Sequence, residues 1–217
     1  MGAIARSAAN NITTSGVFTS SAIANSSVTG ITVLANASDG ITFISSQTAS
    51  NSASLSFTSG LDSTYKAYKF VFSNINRGNG DTSQFGFNFS TDSGSNYNVT
   101  KTTTYFIANH NEADSVTSLV YRTGNDLAQG TGLQHLIGAG DGFGTSTASS
   151  GTLTIFNPSS TTYVKHFIST TNHQGESAYT INSYIAGYGN TTSAINAVRF
   201  QKASGNFSGK IYLYGIK

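Results

Sequence analysis

The stretch QFGFNFS, residues 84–90, has an aromatic ring at every second position and small or polar residues between the rings. Successive side chains of a β-strand point to opposite faces of the sheet, so Phe85, Phe87 and Phe89 would share one face. A helix would place Phe87 on the side opposite Phe85 and Phe89. The pattern therefore predicts a strand with an aromatic inner face and a polar outer face.

The same period recurs along the chain. After a turn-like run at 59–63, Tyr68, Phe70 and Phe72 alternate with polar residues, and Val164, His166 and Ile168 share a face that would put His166 at a core or edge position. Further short strands are predicted at 41–45, 53–57, 118–122, 134–137, 153–155, 181–185, 197–201 and 210–216. Turns are predicted at Asn79-Gly80, Asp92-Ser93-Gly94, Pro158 and Ser204-Gly205-Asn206.

No segment has the pattern of an amphipathic helix of three turns. Short strands separated by turns at intervals of roughly 8–12 residues are typical of all-β domains. The sequence therefore predicts an all-β fold, an antiparallel two-sheet sandwich that is jelly-roll-like.

Composition limits the partners that this fold could have. Charged residues are 9% of the 217 positions, against about 25% in an average soluble domain. The net charge of +2 is scattered, so no basic stripe exists to bind nucleic acid. Fourteen Phe and eleven Tyr give the chain enough apolar surface to fold, and it has no Cys for disulfides.

The first 38 residues differ from the rest. They contain a single charged residue, Arg6, and their apolar residues follow neither a helical nor a strand period. We therefore expect an extended N-terminal arm at 1–40 and a β-sandwich domain at 41–217. Two roles for the arm stay open, namely packing on its own domain and docking on a neighbouring subunit. Neither a secretory signal nor a membrane-spanning run is recognisable in the sequence, so we expect no membrane association.

Motifs for cofactors and metals are weak. The glycine-rich run at 138–144 is followed by TSTASSG, and not by the helix that a phosphate cradle needs. His110, His135, His166 and His173 have no ligand spacing. We expect no cofactor, no metal and no catalytic residue.

One enzymatic alternative stays open. Glycoside hydrolysis needs two carboxylates across a cleft, and the loop-rich half of the chain contains five acidic residues, which solubility alone would also explain. They are Glu112, Asp114, Asp126, Asp141 and Glu176.

Several tyrosines lie near predicted loops, where their rings could stack on neutral sugars. The candidate glycan-stacking residues are Tyr97, Tyr105, Tyr121, Tyr184 and Tyr188, and Tyr179 belongs to the same group. Packing at strand ends is the other reading of these positions.

Four stretches carry a resemblance to a known family. They are SSQTASNSASLSFTSGLDSTYKAYKFVFSNI, FNFSTDSGSNY, LTIFNPSSTTYVKHFIS and INAVRFQKASGNFSGKIYLYGIK. Together they resemble a β-sandwich module of tailed-bacteriophage virion proteins, which is common in phages of marine bacteria and occurs in small virion proteins and at the ends of fibre proteins. The family supplies no catalytic residues to transfer.

The resemblance implies a non-enzymatic structural protein of the virion that is assembled in the host cytoplasm. A capsid decoration or fibre subunit on capsid or tail is expected, with residues 1–40 contacting other virion proteins and a homotrimer as the favoured assembly. The alternative is a carbohydrate-binding module that recognises the host surface.

Overall fold

The computed structural model describes residues 40–77, 83–138, 147–175 and 178–217. Every regular element in these ranges is a β-strand, and none of the described residues forms a helix that could cross a membrane. The strands are β1 (Ile41–Ser52), β2 (Ser54–Phe57), β3 (Ala67–Arg77), β4 (Phe85–Ser90), β5 (Lys101–Asn111), β6 (Thr117–Tyr121), β7 (Gln134–Ile137), β8 (Ser149–Phe156), β9 (Lys165–Gly175), β10 (Tyr179–Gly189), β11 (Ala197–Lys202) and β12 (Phe207–Ile216).

The strands form two antiparallel sheets packed face to face. The large sheet has eight strands in the order β1-β12-β3-β8-β9-β10-β5-β6, and the small sheet has four in the order β2-β11-β4-β7. The predicted all-β two-sheet sandwich is confirmed, and its finer jelly-roll character stays a prediction. The predicted arm at 1–40 lies outside the described residues except for Gly40.

Aromatic rings from both sheets fill the space between them. The ring of Phe200 in β11 meets Phe70 and Phe72 of the large sheet edge-on, with centroids 5.1 and 5.3 Å apart. Phe57 and Phe87 of its own sheet lie 6.1 and 6.4 Å from it. Edge-to-face pairs suit the ring quadrupole and fill volume well. The alternation in β4 thus predicted its inner face correctly.

The turn-like run at 59–63 leads into β3 as expected. Gly60 adopts a positive φ of 83°, and Tyr68 then enters the core. The Tyr68 hydroxyl lies 3.0 Å from the Asp62 carbonyl oxygen and 2.9 Å from Oδ1, and it accepts a hydrogen bond from the Asp62 amide. Hydrogen bonds from Thr64 and Tyr68 lower the pKa of Asp62. A buried tyrosine therefore holds this turn against the start of the strand.

The outer face of β4 is polar, as predicted, and it is also buried. All six residues of β4 are buried. Asn88 Nδ2 donates to the carbonyl oxygens of Tyr97 and Thr131, at 2.9 and 3.1 Å. Loops that follow β4 and precede β7 therefore cover the outer side of the small sheet, because they supply hydrogen-bond acceptors to its amide groups.

The orientation predicted for β9 is wrong. His166 and Ile168 do share a face, but that face points to solvent, while Lys165 and Phe167 are buried on the other. The strand is also interior to the large sheet, so His166 is neither a core nor an edge histidine. The inner face accepts polar residues because they find partners there. For example, Ser169 Oγ donates to the carbonyl oxygen of Thr152 at 2.7 Å.

The strand β5 was not predicted. Its inner face begins with Lys101 and Thr103, and its outer face carries Phe106, so polarity does not alternate as it does in β4. The turns predicted at 92–94, 158 and 204–206 all lie between strands, with positive φ at Ser93, Gly94 and Gly205. The Asn79-Gly80 turn and residues 139–144 of the glycine-rich run lie outside the described residues.

Candidate functional site

The structure places the predicted tyrosines mostly in strands. Tyr105 in β5 is 0% exposed, and its hydroxyl donates to Ser183 Oγ at 3.0 Å inside the sandwich. A side chain in this position cannot stack on a ligand, so Tyr105 is removed from the candidate site. Tyr179 is packed partly against the core.

Tyr97 lies apart from the other tyrosines, beside the small sheet. The guanidinium carbon of Arg199 in β11 is 4.4 Å from the centre of its ring. This cation–π contact occupies one face of the ring. Tyr97 is therefore engaged in covering the outer side of the small sheet.

Tyr121, Tyr184 and Tyr188 share the outer face of the large sheet. Phe106 of β5 is the residue that joins them, because it pairs with Tyr184 of β10 on one side and with Tyr121 of β6 on the other. The rings of Phe106 and Tyr184 are stacked, with centroids 5.0 Å apart and an interplanar angle of 14°. We call the outer surface of β9, β10, β5 and β6 the aromatic face. Its other exposed apolar residues include Ile168 and Leu119.

Tyr121 is held at the end of this row by a loop carboxylate. Its hydroxyl donates to Asp126 Oδ2 at 2.7 Å, and this hydrogen bond raises the pKa of Tyr121. The bond fixes the hydroxyl end of the side chain. The ring stays about half exposed at 49%.

A groove crosses the aromatic face at Ala186. Two shallow depressions of about 260 and 210 Å³ meet at this residue. Tyr188 lines one depression, and Tyr184 and Phe106 line the other. On the neighbouring strands, Ala186 pairs with Thr104 and Ile168. We call this feature the Ala186 groove.

Sequence reasoning missed three members of this surface, namely Phe106, His166 and Ile168. The ring of His166 lies 6.1 Å from that of Tyr188. Phe106 was missed because β5 was missed. His166, on one face with Ile168, was predicted at a core or edge position because an apolar residue at alternate positions usually faces a core. The run of β-branched and aromatic residues at 102–107 was the signal for a strand there.

A polar pocket of about 470 Å³ lies at the other end of β5, β9 and β10. Its rim holds two of the five acidic residues considered for hydrolysis. Asp114 Oδ1 is 2.9 Å from His110 Nε2, and Glu112 Oε1 accepts a hydrogen bond from Gln174 at 3.2 Å. Both carboxylates belong to the loop between β5 and β6, at the rim of the pocket.

Of the other three acidic residues, the structure describes only Asp126. Asp126 bonds Tyr121, whereas Asp141 and Glu176 lie outside the described residues. Among the described residues, no group of three or more His, Cys, Asp or Glu side chains could hold a metal ion.

The fold and this surface define an all-β sandwich with an exposed aromatic sheet face. No protein-family model, curated protein or solved structure matches the chain.

Proposed function

We propose that this chain is a non-enzymatic structural protein of a tailed-bacteriophage virion. In this proposal residues 41–217 form the displayed sandwich, and residues 1–40 attach it to capsid or tail proteins. The subunit acts as a capsid decoration or as part of a fibre.

The placement of the four resembling stretches carries the proposal. They supply all of β2, β11 and β12, most of β1, β3 and β4, the second half of β8 and the first five residues of β9. These strands pair with one another, since β3 lies between β8 and β12, and β4 pairs with β11. The sequence features that resemble the phage module therefore contribute strands to both sheets, whereas β5, β6, β7 and β10 lie outside them.

The way in which the sandwich is stabilised also supports the proposal. Its core is held by aromatic and aliphatic burial, and only 9% of the chain is charged. Salt weakens contacts between exposed charges but has little effect on apolar burial. A subunit of this kind keeps its stability across the range of salt concentrations that a free particle meets.

Attachment is assigned to the N-terminal residues because of their sequence. Residues 1–38 contain a single charged residue, Arg6, and their apolar residues follow neither a strand nor a helical period, unlike the residues from Ile41 onward. We therefore propose that this neutral, Ser- and Thr-rich sequence contacts the particle.

A deletion of residues 1–38 tests this proposal. The truncated protein should remain soluble and keep a β-sheet circular dichroism spectrum, but it should be absent from particles purified on a density gradient. A matched control carries the same 38 residues in scrambled order, and it should also fail to incorporate. Incorporation of the truncated protein at the level of the full-length chain would show that the attachment proposal is wrong.

A homotrimer is the proposed assembly, because display proteins on particles are commonly symmetric oligomers. Sedimentation equilibrium of the full-length chain should give a mass three times that of the 22.6 kDa subunit. A monomer at micromolar concentration would contradict the proposed assembly and would leave the attachment experiment unaffected.

A second candidate function is recognition of glycans on the host surface. The observation that favours it is that Tyr121, Tyr184 and Tyr188 lie together on the aromatic face. Aromatic rings with an apolar body and a polar tip suit ligands that have both apolar and hydroxyl-bearing sides. Saturable binding of the full-length chain to host envelope polysaccharide would support this function.

A further inference from the structure

We propose that the Ala186 groove is a binding site for a neutral saccharide chain, whose sugar rings lie against Tyr184 and Tyr188. This site rests on the second candidate function, glycan recognition, and it names the ligand class and the residues for it. The proposal does not depend on how the protein is attached to a particle.

The spacing along β10 creates the groove. Tyr184 and Tyr188 point to the same face as Ala186, two residues away on either side. At about 3.3 Å per residue, the Cα atoms of the two tyrosines are about 13 Å apart. The single methyl group of Ala186 leaves the space between them open. The two depressions that meet here are the result.

Both flanking rings are positioned before any ligand arrives. Tyr184 stacks on Phe106 of β5, and the ring of Tyr188 lies beside that of His166 in β9. Phe106 lies on the strand at one side of β10 and His166 on the strand at the other side, so each tyrosine ring packs against a neighbouring strand. A ligand that stacks on side chains already restricted in this way loses less conformational entropy on binding.

The chemistry of the lining favours a neutral ligand. The described residues that line the two depressions are Thr, Ser, Gly, Ala, Ile, Phe and Tyr, and none of them is charged. A charged sugar would lose hydration here without meeting an opposite charge. The surface exposed in both depressions is almost entirely apolar, and the Thr104 hydroxyl beside it donates to the carbonyl oxygen of Ala186 at 3.4 Å. Such a surface suits the apolar C–H side of a sugar ring, while the hydroxyl rim of the sugar stays in water.

The shape of the groove indicates a chain and not an isolated small molecule. Small-molecule sites are usually concave and enclose most of the ligand. The two depressions are shallow and lie end to end on an open sheet face. An extended polymer can contact both of them at once, so that several weak ring contacts add up along its length.

Binding of neutral and acidic oligosaccharides to the full-length chain tests the site. The probes are hexasaccharides of glucose, galactose, mannose and N-acetylglucosamine, with uronic-acid and sulfated hexasaccharides as the charged set. We expect saturable binding of at least one neutral probe. Ala186→Leu, which fills the groove, and Tyr188→Ala, which removes one ring, should each weaken that binding by about tenfold or more. Tyr188→Phe keeps the ring and should bind within about threefold of the wild type.

Tyr214→Ala is the matched control. Tyr214 lies on the same sheet in β12, against Phe43, and four strand spacings of about 4.8 Å separate β12 from β10. This variant should bind as the wild type does. Thermal melting of every variant checks that each one is folded, and the Tyr188→Phe result separates loss of the ring from loss of the fold.

The possible outcomes test the Ala186 groove and glycan recognition separately. If no probe, neutral or acidic, binds saturably, both the site and glycan recognition by this chain are wrong. If the wild type binds but Ala186→Leu and Tyr188→Ala bind equally well, the site is wrong and glycan recognition stands. Binding restricted to acidic probes overturns the neutral class. A changed sedimentation mass for Ala186→Leu with unchanged sugar binding also overturns the site, because it shows that a second copy of the chain covers the groove.

Discussion

Lys101 and Lys165 flank Gly189, and both side chains are buried in the sandwich. Each lysine begins its strand, and both pair with Gly189 at the end of β10. Adjacent strands are about 4.8 Å apart, so the lysine Cα atoms are about 10 Å apart. Lys101 Nζ donates to the carbonyl oxygen of Val99 at 3.0 Å, and Lys165 Nζ donates to two loop carbonyls at 2.6 and 3.2 Å. Backbone oxygens therefore replace water around two buried cations.

The first prediction is that Lys101→Met stabilises the protein at pH 7. Burial lowers the pKa of Lys101 to about 8, from about 10.4 for a free side chain. The charged form is therefore less favourable in the folded state, at a cost on the order of 3 kcal/mol at pH 7. The lost hydrogen bond to Val99 offsets part of the gain, so we expect an increase of about 1–2 kcal/mol in the free energy of unfolding.

The pH dependence gives the sign of this effect. Between pH 8 and about 10.4 the unfolded chain binds a proton at Lys101 that the folded chain does not, so wild-type stability from this group rises with pH. The difference between Lys101→Met and the wild type should accordingly shrink as the pH rises from 7 to 10 in urea titrations. Lys66→Met, at an exposed lysine, is the control, and its free energy of unfolding should stay close to that of the wild type at each pH. A Lys101→Met protein less stable than the wild type at pH 7 would contradict the account.

Phe200→Ala should be among the most damaging single changes to the core. The ring contacts both sheets and is fully buried, so its removal leaves a cavity that neighbours on two sheets cannot fill. Loss of such a ring costs about 3–5 kcal/mol. Phe43→Ala removes a ring that is 56% exposed and should cost about 1 kcal/mol or less. Urea unfolding measures the free energy of unfolding of both variants. If Phe200→Ala and Phe43→Ala lose the same amount of this free energy, Phe200 is not the centre of the core.

Gly86→Ala should weaken the pairing of β4 with β7. A Cβ atom at this position would lie 2.1 Å from the carbonyl oxygen of Gln134, so one backbone has to move. Overpacking of this kind costs about 1–3 kcal/mol. Gly124→Ala meets no atom within 4 Å and should be close to neutral. We expect the β7 amides to exchange hydrogen faster in Gly86→Ala but not in Gly124→Ala. Unchanged exchange in Gly86→Ala would contradict the close approach of residue 86 to the Gln134 backbone.

Tyr68→Phe should loosen the turn before β3 while leaving the ring in the core. The hydroxyl bonds Asp62 at three atoms, and the change removes these bonds at a cost of about 1 kcal/mol. The bond from Tyr68 helps to lower the pKa of Asp62, so that pKa should rise in the variant. An NMR titration of the Asp62 carboxyl measures this change. Tyr163→Phe, at an exposed tyrosine, should leave the Asp62 pKa where it is.

The fold was predictable where burial follows the strand period strictly. The inner faces of β3 and β4, the strand at 54–57 and most turns are located by alternation and by Gly, Asn, Asp and Pro. The strand β5 was not found because Phe106 lies on its outer face and Lys101 on its inner face. Alternation reports which face is apolar, and in β5 neither face is uniformly so.

The candidate site was predictable only in part. Tyr121, Tyr184 and Tyr188 were candidates from the sequence, and they do share one surface. Tyr105 was also a candidate, and it is buried. Adjacent residues on a strand point in opposite directions, so Tyr105 and Phe106 exchange roles with a shift of one position. Without the strand β5, nothing in the sequence decided which of the two rings would face solvent.

By itself the sequence determined that this chain folds as an all-β sandwich with an aromatic core, because period-two burial is a property of a few neighbouring residues. Tertiary structure alone decided which face of β9 points inward, which rings stack across β10, β5 and β6, and that two lysines lie buried beside Gly189. These features depend on the register between strands far apart in the chain, and that register is set by the packing of all the strands together.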